Sequence, residues 1–147
     1  EMMVPDKKPT NVLILGLGAG TLVRMLHKKF PGIKIKGIEK YQEVIDVASK
    51  YMGFDNLFVD LVIADAFDYV FEDNDKYDLI LVDLYNGYNF PIKCLMPKFI
   101  RRLQELLNND GKLYINTPNI AHGISLILPT RTSEENTGNV VYKYAKD

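Results

Sequence analysis

The sequence predicts a doubly wound α/β fold, with a mostly parallel sheet and helices on both faces. Short, continuous apolar runs alternate along the chain with segments of helical periodicity, the pattern of a parallel sheet covered on both sides. Right-handed crossovers then wind those units into a layered sandwich. Two late strand-like runs flank a polar turn, which adds an antiparallel hairpin at the C-terminal edge.

The elements follow in order. Residues 1–10 are polar, carry Pro5 and Pro9, and read as a lead-in. Val12–Leu15 is the first strand. Leu22, Val23, Leu26 and Phe30 recur at helical spacing until Pro31-Gly32 stops them. Lys34–Ile38 is a second strand ending at Glu39, and Val44, Ile45, Ala48, Tyr51 and Met52 mark a second helix stopped by Gly53. Asp60–Ile63 is a third strand ending at Ala64-Asp65, and Ala66–Val70 is a short helix before the acidic loop Glu72–Asp75. Asp78–Val82 is the most apolar strand and ends at Asp83. A loop rich in Tyr, Asn and Gly, Tyr85–Pro91, leads to a helix with Met96, Phe99, Ile100, Leu103, Leu106 and Leu107 on one stripe. Asn108–Gly111 stops that helix, and Lys112–Asn116 is a fifth strand. Ile124–Leu128 and Val140–Tyr144 then form the hairpin around a turn at Ser133–Asn139. The layout is Rossmann-like.

With 147 residues, 47% hydrophobic and 25% charged, the chain suits one soluble domain with a real core. A net charge of −1 gives no polyanion-binding signature, so no nucleic acid is expected. No apolar run approaches the roughly 18 residues of a membrane span. The lone cysteine, Cys94, rules out an intrachain disulfide and fits a reducing, cytoplasmic setting. Cys94 reads as a buried, inert thiol, and neither His27 nor His122 has partners at metal spacing, so no metal is expected.

The residues 11–22, NVLILGLGAGTL, say most about function. A buried strand runs into Gly16, Gly18 and Gly20 at alternate positions, and a helix begins. A strand, a tight glycine turn and a helix N-terminus make a nucleotide-cofactor cradle. Nicotinamide-type sites favour G-x-G-x-x-G, but position 21 is Thr21. The G-x-G-x-G spacing fits an S-adenosylmethionine-type cofactor better. In open α/β sheets ligands bind beyond the carboxyl ends of the strands, and here Glu39, Asp65 and Asp83 all stand at strand ends. Glu39, 19 residues after Gly20, suits both ribose hydroxyls. Asp65 either accepts from the adenine amino group or caps the following helix, and Ala66 is placed to touch the ring. Asp83, expected beside the first strand, orients or deprotonates an acceptor, or stabilises a cationic donor. Tyr85, Asn86 and Tyr88 either cover the acceptor or simply pack the loop. The run Asn116-Thr117-Pro118-Asn119 is set aside, because an amino-methylating motif of that type belongs after the fourth strand.

Four blocks together, VLILGLGAGTLVRML, IEKYQEVIDVASKYMG, IADAFDYV and YDLILVDLY, resemble the spermidine-synthase-like branch of the class I S-adenosylmethionine-dependent methyltransferase superfamily. The likeness covers roughly residues 1–117. It implies the class I methyltransferase fold, donor contacts at Gly16, Gly18 and Glu39, Asp65 at the adenine, and Asp83 where aminopropyltransferases keep a catalytic aspartate. It also leaves room for a homodimer. The chain departs from spermidine synthases at Leu17 and Ala19, which replace a glycine and an aspartate, and at Asn86, which replaces a carboxylate.

We therefore expect residues 1–147 to form one S-adenosylmethionine-binding domain, without the N-terminal β domain of spermidine synthases. The cofactor is S-adenosylmethionine or its decarboxylated form, and Gly16, Gly18, Gly20, Glu39, Asp65, Ala66 and Asp83 are expected to bind it. Asp83 and Tyr85 are the catalytic candidates. The leading expectation is a transferase moving a methyl group from a small-molecule donor to an unidentified acceptor by in-line displacement. Aminopropyl transfer and a non-catalytic binding role compete with it. From Asn119 to Ile124 the chain is too short for a full helix, so either Ala121–Leu128 is a shortened helix or residues are missing near 129–139.

Overall fold

A computed structural model describes residues 3–55, 58–85, 89–118, 132–136 and 139–146. Its strands are β1 (Asn11–Leu15), β2 (Lys34–Glu39), β3 (Asp60–Ile63), β4 (Tyr77–Val82), β5 (Leu107–Pro118), β6 (Thr132–Asn136) and β7 (Asn139–Ala145). Its helices are α1 (Thr21–Lys29), α2 (Gln42–Tyr51), α3 (Ala66–Glu72) and α4 (Pro97–Leu106), with a 3₁₀ turn at Ile92–Leu95. The sheet runs β3-β2-β1-β4-β5-β7-β6, parallel through β5 and antiparallel at β7 and β6. The doubly wound, mostly parallel fold with an antiparallel edge is thus as expected.

The pleat sends alternate residues of β1 to opposite layers. Val12 and Ile14 meet Val23 and Leu26 of α1 and Ile45 and Ala48 of α2. Leu13 and Leu15 meet Val70 of α3 and Phe99, Ile100 and Leu103 of α4. All four β1 side chains are buried, as a strand covered on both faces requires. Strand order reverses at β1, whose neighbours are β2 and β4. The crossovers from these strands leave in opposite directions, and a crevice opens at the carboxyl end of β1.

The opposite end of the sheet is tied together by one carboxylate. Asp78 Oδ2 accepts from the N–H groups of Thr10 (2.9 Å) and Asn11 (3.0 Å), and its Oδ1 accepts from the Asn108 amide (2.8 Å). Burial pushes the Asp78 carboxyl up, but these donors outweigh it and hold it below the ordinary range.

Two sequence expectations need correction. Leu107 does not close α4; it opens β5 opposite Tyr77, and Asn108–Gly111 is a bulge in that strand, since pairing resumes at Leu79↔Lys112. Asp110 in the left-handed region (φ 61°) turns the bulge. Ser133–Asn136 is not a turn but part of β6, paired with Asn139–Tyr142 of β7. Backbone pairing to β7 overrides the weak strand propensity of these polar residues. Ile124–Leu128 and the short stretch 119–124 lie outside the described residues, as do 129–131 and 137–138 of the suspected gap near 129–139.

Asp78→Ala should cost about 1–3 kcal/mol at pH 7, because three donors lose a part-buried acceptor. Its folded pKa lies below the unfolded one, so its contribution is full above the ordinary carboxylate range and is lost as pH falls through the folded value. Urea titrations of both proteins should show the deficit closing with acidification.

Candidate functional site

A cleft of about 600 Å³ opens at the crevice, lined by the glycine loop, the ends of β2 and β4, and the loops after β3 and β4. Gly16, Gly18, Glu39, Asp65, Ala66, Asp83 and Tyr85 all line it. It is of a size to enclose a nucleoside-sized molecule.

The loop is held in shape from below. Gly16 N–H donates to the Ile38 carbonyl at 2.9 Å, and Asp83 N–H donates to Leu15 at 2.8 Å. Gly16 has φ 90°, and a Cβ there would lie 2.3 Å from the Asp83 carbonyl oxygen, so the first glycine lets the ends of β1 and β4 meet. Gly18 faces open space. Gly20 stands apart from the cleft: it precedes α1 in the left-handed region, and a Cβ there would strike the Phe54 ring at 2.1 Å. Its missing side chain serves packing and the helix start, not the cleft wall. Leu17, which departs from the spermidine synthase pattern, is buried in the core beneath Gly37.

Glu39 is 8% exposed and accepts from three backbone N–H groups. Its Oε2 accepts from Gly18 N–H (3.1 Å), and its Oε1 accepts from Lys40 N–H (2.8 Å) and Tyr41 N–H (3.2 Å). These are charge-assisted bonds, each stronger than a neutral one. The carboxylate retains lone pairs on the cleft side for hydroxyl donors.

Asp65 does cap α3: its Oδ1 accepts from Phe67 N–H at 3.0 Å. It also carries two lysines the sequence reading did not single out, Lys93 at 2.9 Å and Lys40 at 3.2 Å. Burial raises its pKa, yet the two ammonium groups and the Phe67 N–H prevail and hold it below the ordinary carboxylate value. That face of the cleft thereby sets two ammonium groups against one carboxylate. Phe67 lies behind it, stacked on Phe99 at 5.6 Å.

Asp83 is the opposite case. Burial pushes its carboxyl above the ordinary range, and only the Asn116 amide, donating to Oδ1 at 2.8 Å, opposes this. Tyr85 packs edge-on to Phe90 (5.9 Å), and its hydroxyl is buried with no partner among the described residues. Burial and then the Asp83 charge raise the phenol pKa. Residues 86–88, including Asn86 and Tyr88, lie outside the described residues, as does His122. Cys94 is buried in the cleft wall, and burial pushes its thiol up to about 12, which leaves it inert as expected. His27 pairs with the Phe58 carbonyl (2.8 Å), away from the cleft.

The residue that sequence reasoning set aside is Asn116. Val82 pairs with Ile115, so Asp83 and Asn116 are the next residues of adjacent strands. A polar residue directly after the apolar run of the fifth strand was the signal that could have found it.

A family model described as spermine/spermidine synthase domain matches residues 2–145. The chain belongs to the spermine/spermidine synthase family. It is 32% identical over 113 residues to a probable polyamine aminopropyl transferase of Bifidobacterium longum, covering 77% of this chain and 25% of that protein. It is 34% identical over 125 residues to a polyamine aminopropyltransferase of Methanocaldococcus jannaschii, covering 81% and 42%. The chain thus spans from a quarter to under half the length of these two relatives. Among solved structures it resembles human methyltransferase-like protein 13 (TM-score 0.82, 22% identity, 95% of this chain and 72% of that one). It also resembles a spermidine synthase from Thermotoga maritima (TM-score 0.78, 22% identity, 100% and 59%). These likenesses show the shared fold. The expectation of methyl transfer is overturned: the curated relatives are named for aminopropyl transfer, and the matching family is that of spermine and spermidine synthases. Motif spacing could not separate the two reactions, because it reads only the half of the cleft that both share.

Gly16→Ala should destabilise the domain by more than about 2 kcal/mol, combining left-handed backbone strain with the clash against Asp83. Gly32→Ala, also at positive φ but facing open space, should cost about 1 kcal/mol. Chemical denaturation of the pair separates strain from collision; equal losses would deny the close approach of β1 and β4.

Proposed function

We propose that this domain transfers an aminopropyl group from a decarboxylated S-adenosylmethionine-type donor to an amine. The observation that carries the reading is the charge arrangement of the cleft. Asp83 is a partly buried carboxylate with no lysine or arginine set against it among the described residues, while Lys40 and Lys93 are both committed to Asp65. A desolvated, unpaired carboxylate favours cationic ligands. A decarboxylated donor brings a sulfonium and an ammonium and no carboxylate; the undecarboxylated donor would bring a third, negative charge, and among the described residues both lysines of the cleft lining are already paired with Asp65. The names of the curated relatives support the same choice.

On this reading Glu39 accepts from the ribose hydroxyls, Asp65 and Ala66 border the base, and Gly16 and Gly18 let the backbone close on the nucleoside. The donor supplies a sulfonium whose propyl carbon is open to displacement. Asp83 receives the acceptor amine, orients its lone pair toward that carbon and takes its proton. The nitrogen–carbon bond forms as the carbon–sulfur bond breaks, and that electron pair stays on sulfur as a neutral thioether nucleoside. The raised pKa of Asp83 suits a proton acceptor working near neutrality. The Tyr85 hydroxyl, buried without a partner among the described residues, is available to the same amine. Holding donor and acceptor in line supplies most of the rate.

The test is mass spectrometry of a diamine incubated with the full chain and either donor. The diamine should gain an aminopropyl group from the decarboxylated donor, with methylthioadenosine released. Asp83→Asn should slow this by about 10²–10⁴-fold and leave methylthioadenosine binding within a few-fold. A methyl gain from S-adenosylmethionine would defeat the proposal.

A further inference from the structure

We infer that Asn116 is a positioning residue for Asp83: its side-chain amide, fixed by the sheet, donates to one oxygen of the carboxyl, orients the group and opposes the protonation that its surroundings favour. The placement is rigid. Asn116 stands between β4 and β7, with Ile115 paired to Val82 on one side and Asn116 to Val141 on the other. Thr117, next in the strand, is fully buried. A group mounted on a central strand holds its geometry better than one on a loop.

The amide's direction is decided by chemistry. Its NH₂ side meets Asp83 Oδ1 at 2.8 Å, since two oxygens facing each other would repel. The amide oxygen is then left buried with no partner among the described residues. Such an orphan is costly. Were Asp83 protonated, the amide could turn over and accept from the acid. The NH₂ donor therefore favours the carboxylate form of Asp83, against a burial that favours the acid and is the larger effect.

The other groups around Asp83 do not supply this. From its own loop comes the Tyr85 phenol, which is neutral and unpartnered. β1 offers the Leu15 carbonyl to the Asp83 backbone, not to its side chain. Glu39, across the cleft, is bonded to three backbone N–H groups, and Asp65 is paired with Lys40 and Lys93. Asn116 is thus the donor, among the described residues, that acts on the Asp83 carboxylate.

The role assigned to Asn116 in catalysis rests on the proposed transfer reaction, but its test does not. The full chain is labelled with ¹³C at aspartate carboxyl carbons, Asp83 is assigned with Asp83→Asn, and its titration is followed by NMR. Asn116→Leu should move the midpoint up by about one pH unit, the worth of a charge-assisted hydrogen bond. Asn116→Asp should move it further, since two adjacent carboxylates share a proton, and Asn116→Gln should restore part of the shift. Circular dichroism checks that each variant folds; Asn116→Asp and Asn116→Gln suffice if Asn116→Leu does not. Midpoints that stay together across the folded variants would overturn the inference. Displaced midpoints uphold it, whether or not aminopropyl transfer is detected, and in an active chain the acid limb of kcat/KM should move with them.

Discussion

Three backbone N–H groups from two separate segments converge on the Glu39 carboxylate, and the cleft depends on that convergence. Gly18 comes from the loop after β1, and Lys40 and Tyr41 from the turn after β2. A glycine-rich loop has much conformational entropy to lose. Tying it to a carboxylate on the neighbouring strand gives it one shape. The parallel pairing of Leu15 with Ile38 brings the loop and Glu39 to the same level. From there Gly16 admits the Asp83 carbonyl, and the ends of β1, β2 and β4 come together around one cavity.

The cavity is divided electrostatically. Around Asp65 a carboxylate is matched by two lysines and a backbone donor and stays ionised with ease. Around Asp83 a partly buried carboxyl has one amide donor, Asn116, and is pushed toward its acid form. Two carboxylates in one cleft whose surroundings drive their pKa values apart are suited to different tasks, the first to structure and recognition and the second to proton transfer.

Most of the fold was legible because β1 and β4 are continuous apolar runs and the helices carry clear stripes, so periodicity and strand ends placed Glu39, Asp65 and Asp83 correctly at the cleft. What escaped depended on pairing that no local pattern records. Leu107 looks like the last apolar residue of α4 but is captured by Tyr77, and Thr132–Asn136 looks like a turn but is captured by β7. Gly20 looks like its companions, and only the Phe54 ring packed against it reveals a different job. Lys93 and Asn116 enter the site from distant positions, 28 and 33 residues from the carboxylates they touch. The choice between methyl and aminopropyl groups escaped for another reason: the motifs read only the part of the cleft that both kinds of enzyme share, and the names of the curated relatives carry the distinction.

The measurement that bears most directly on the Glu39-centred cleft is calorimetric titration of methylthioadenosine into the wild-type chain and Glu39→Gln. The substitution keeps size and shape but sets an NH₂ group against one of the N–H donors, removing a charge-assisted bond worth about 1.5–3 kcal/mol. The account predicts saturable binding to the wild type and at least about tenfold weaker binding to a variant that remains folded. Equal affinity in the two proteins, or binding of NAD in place of the thioether nucleoside, would contradict it.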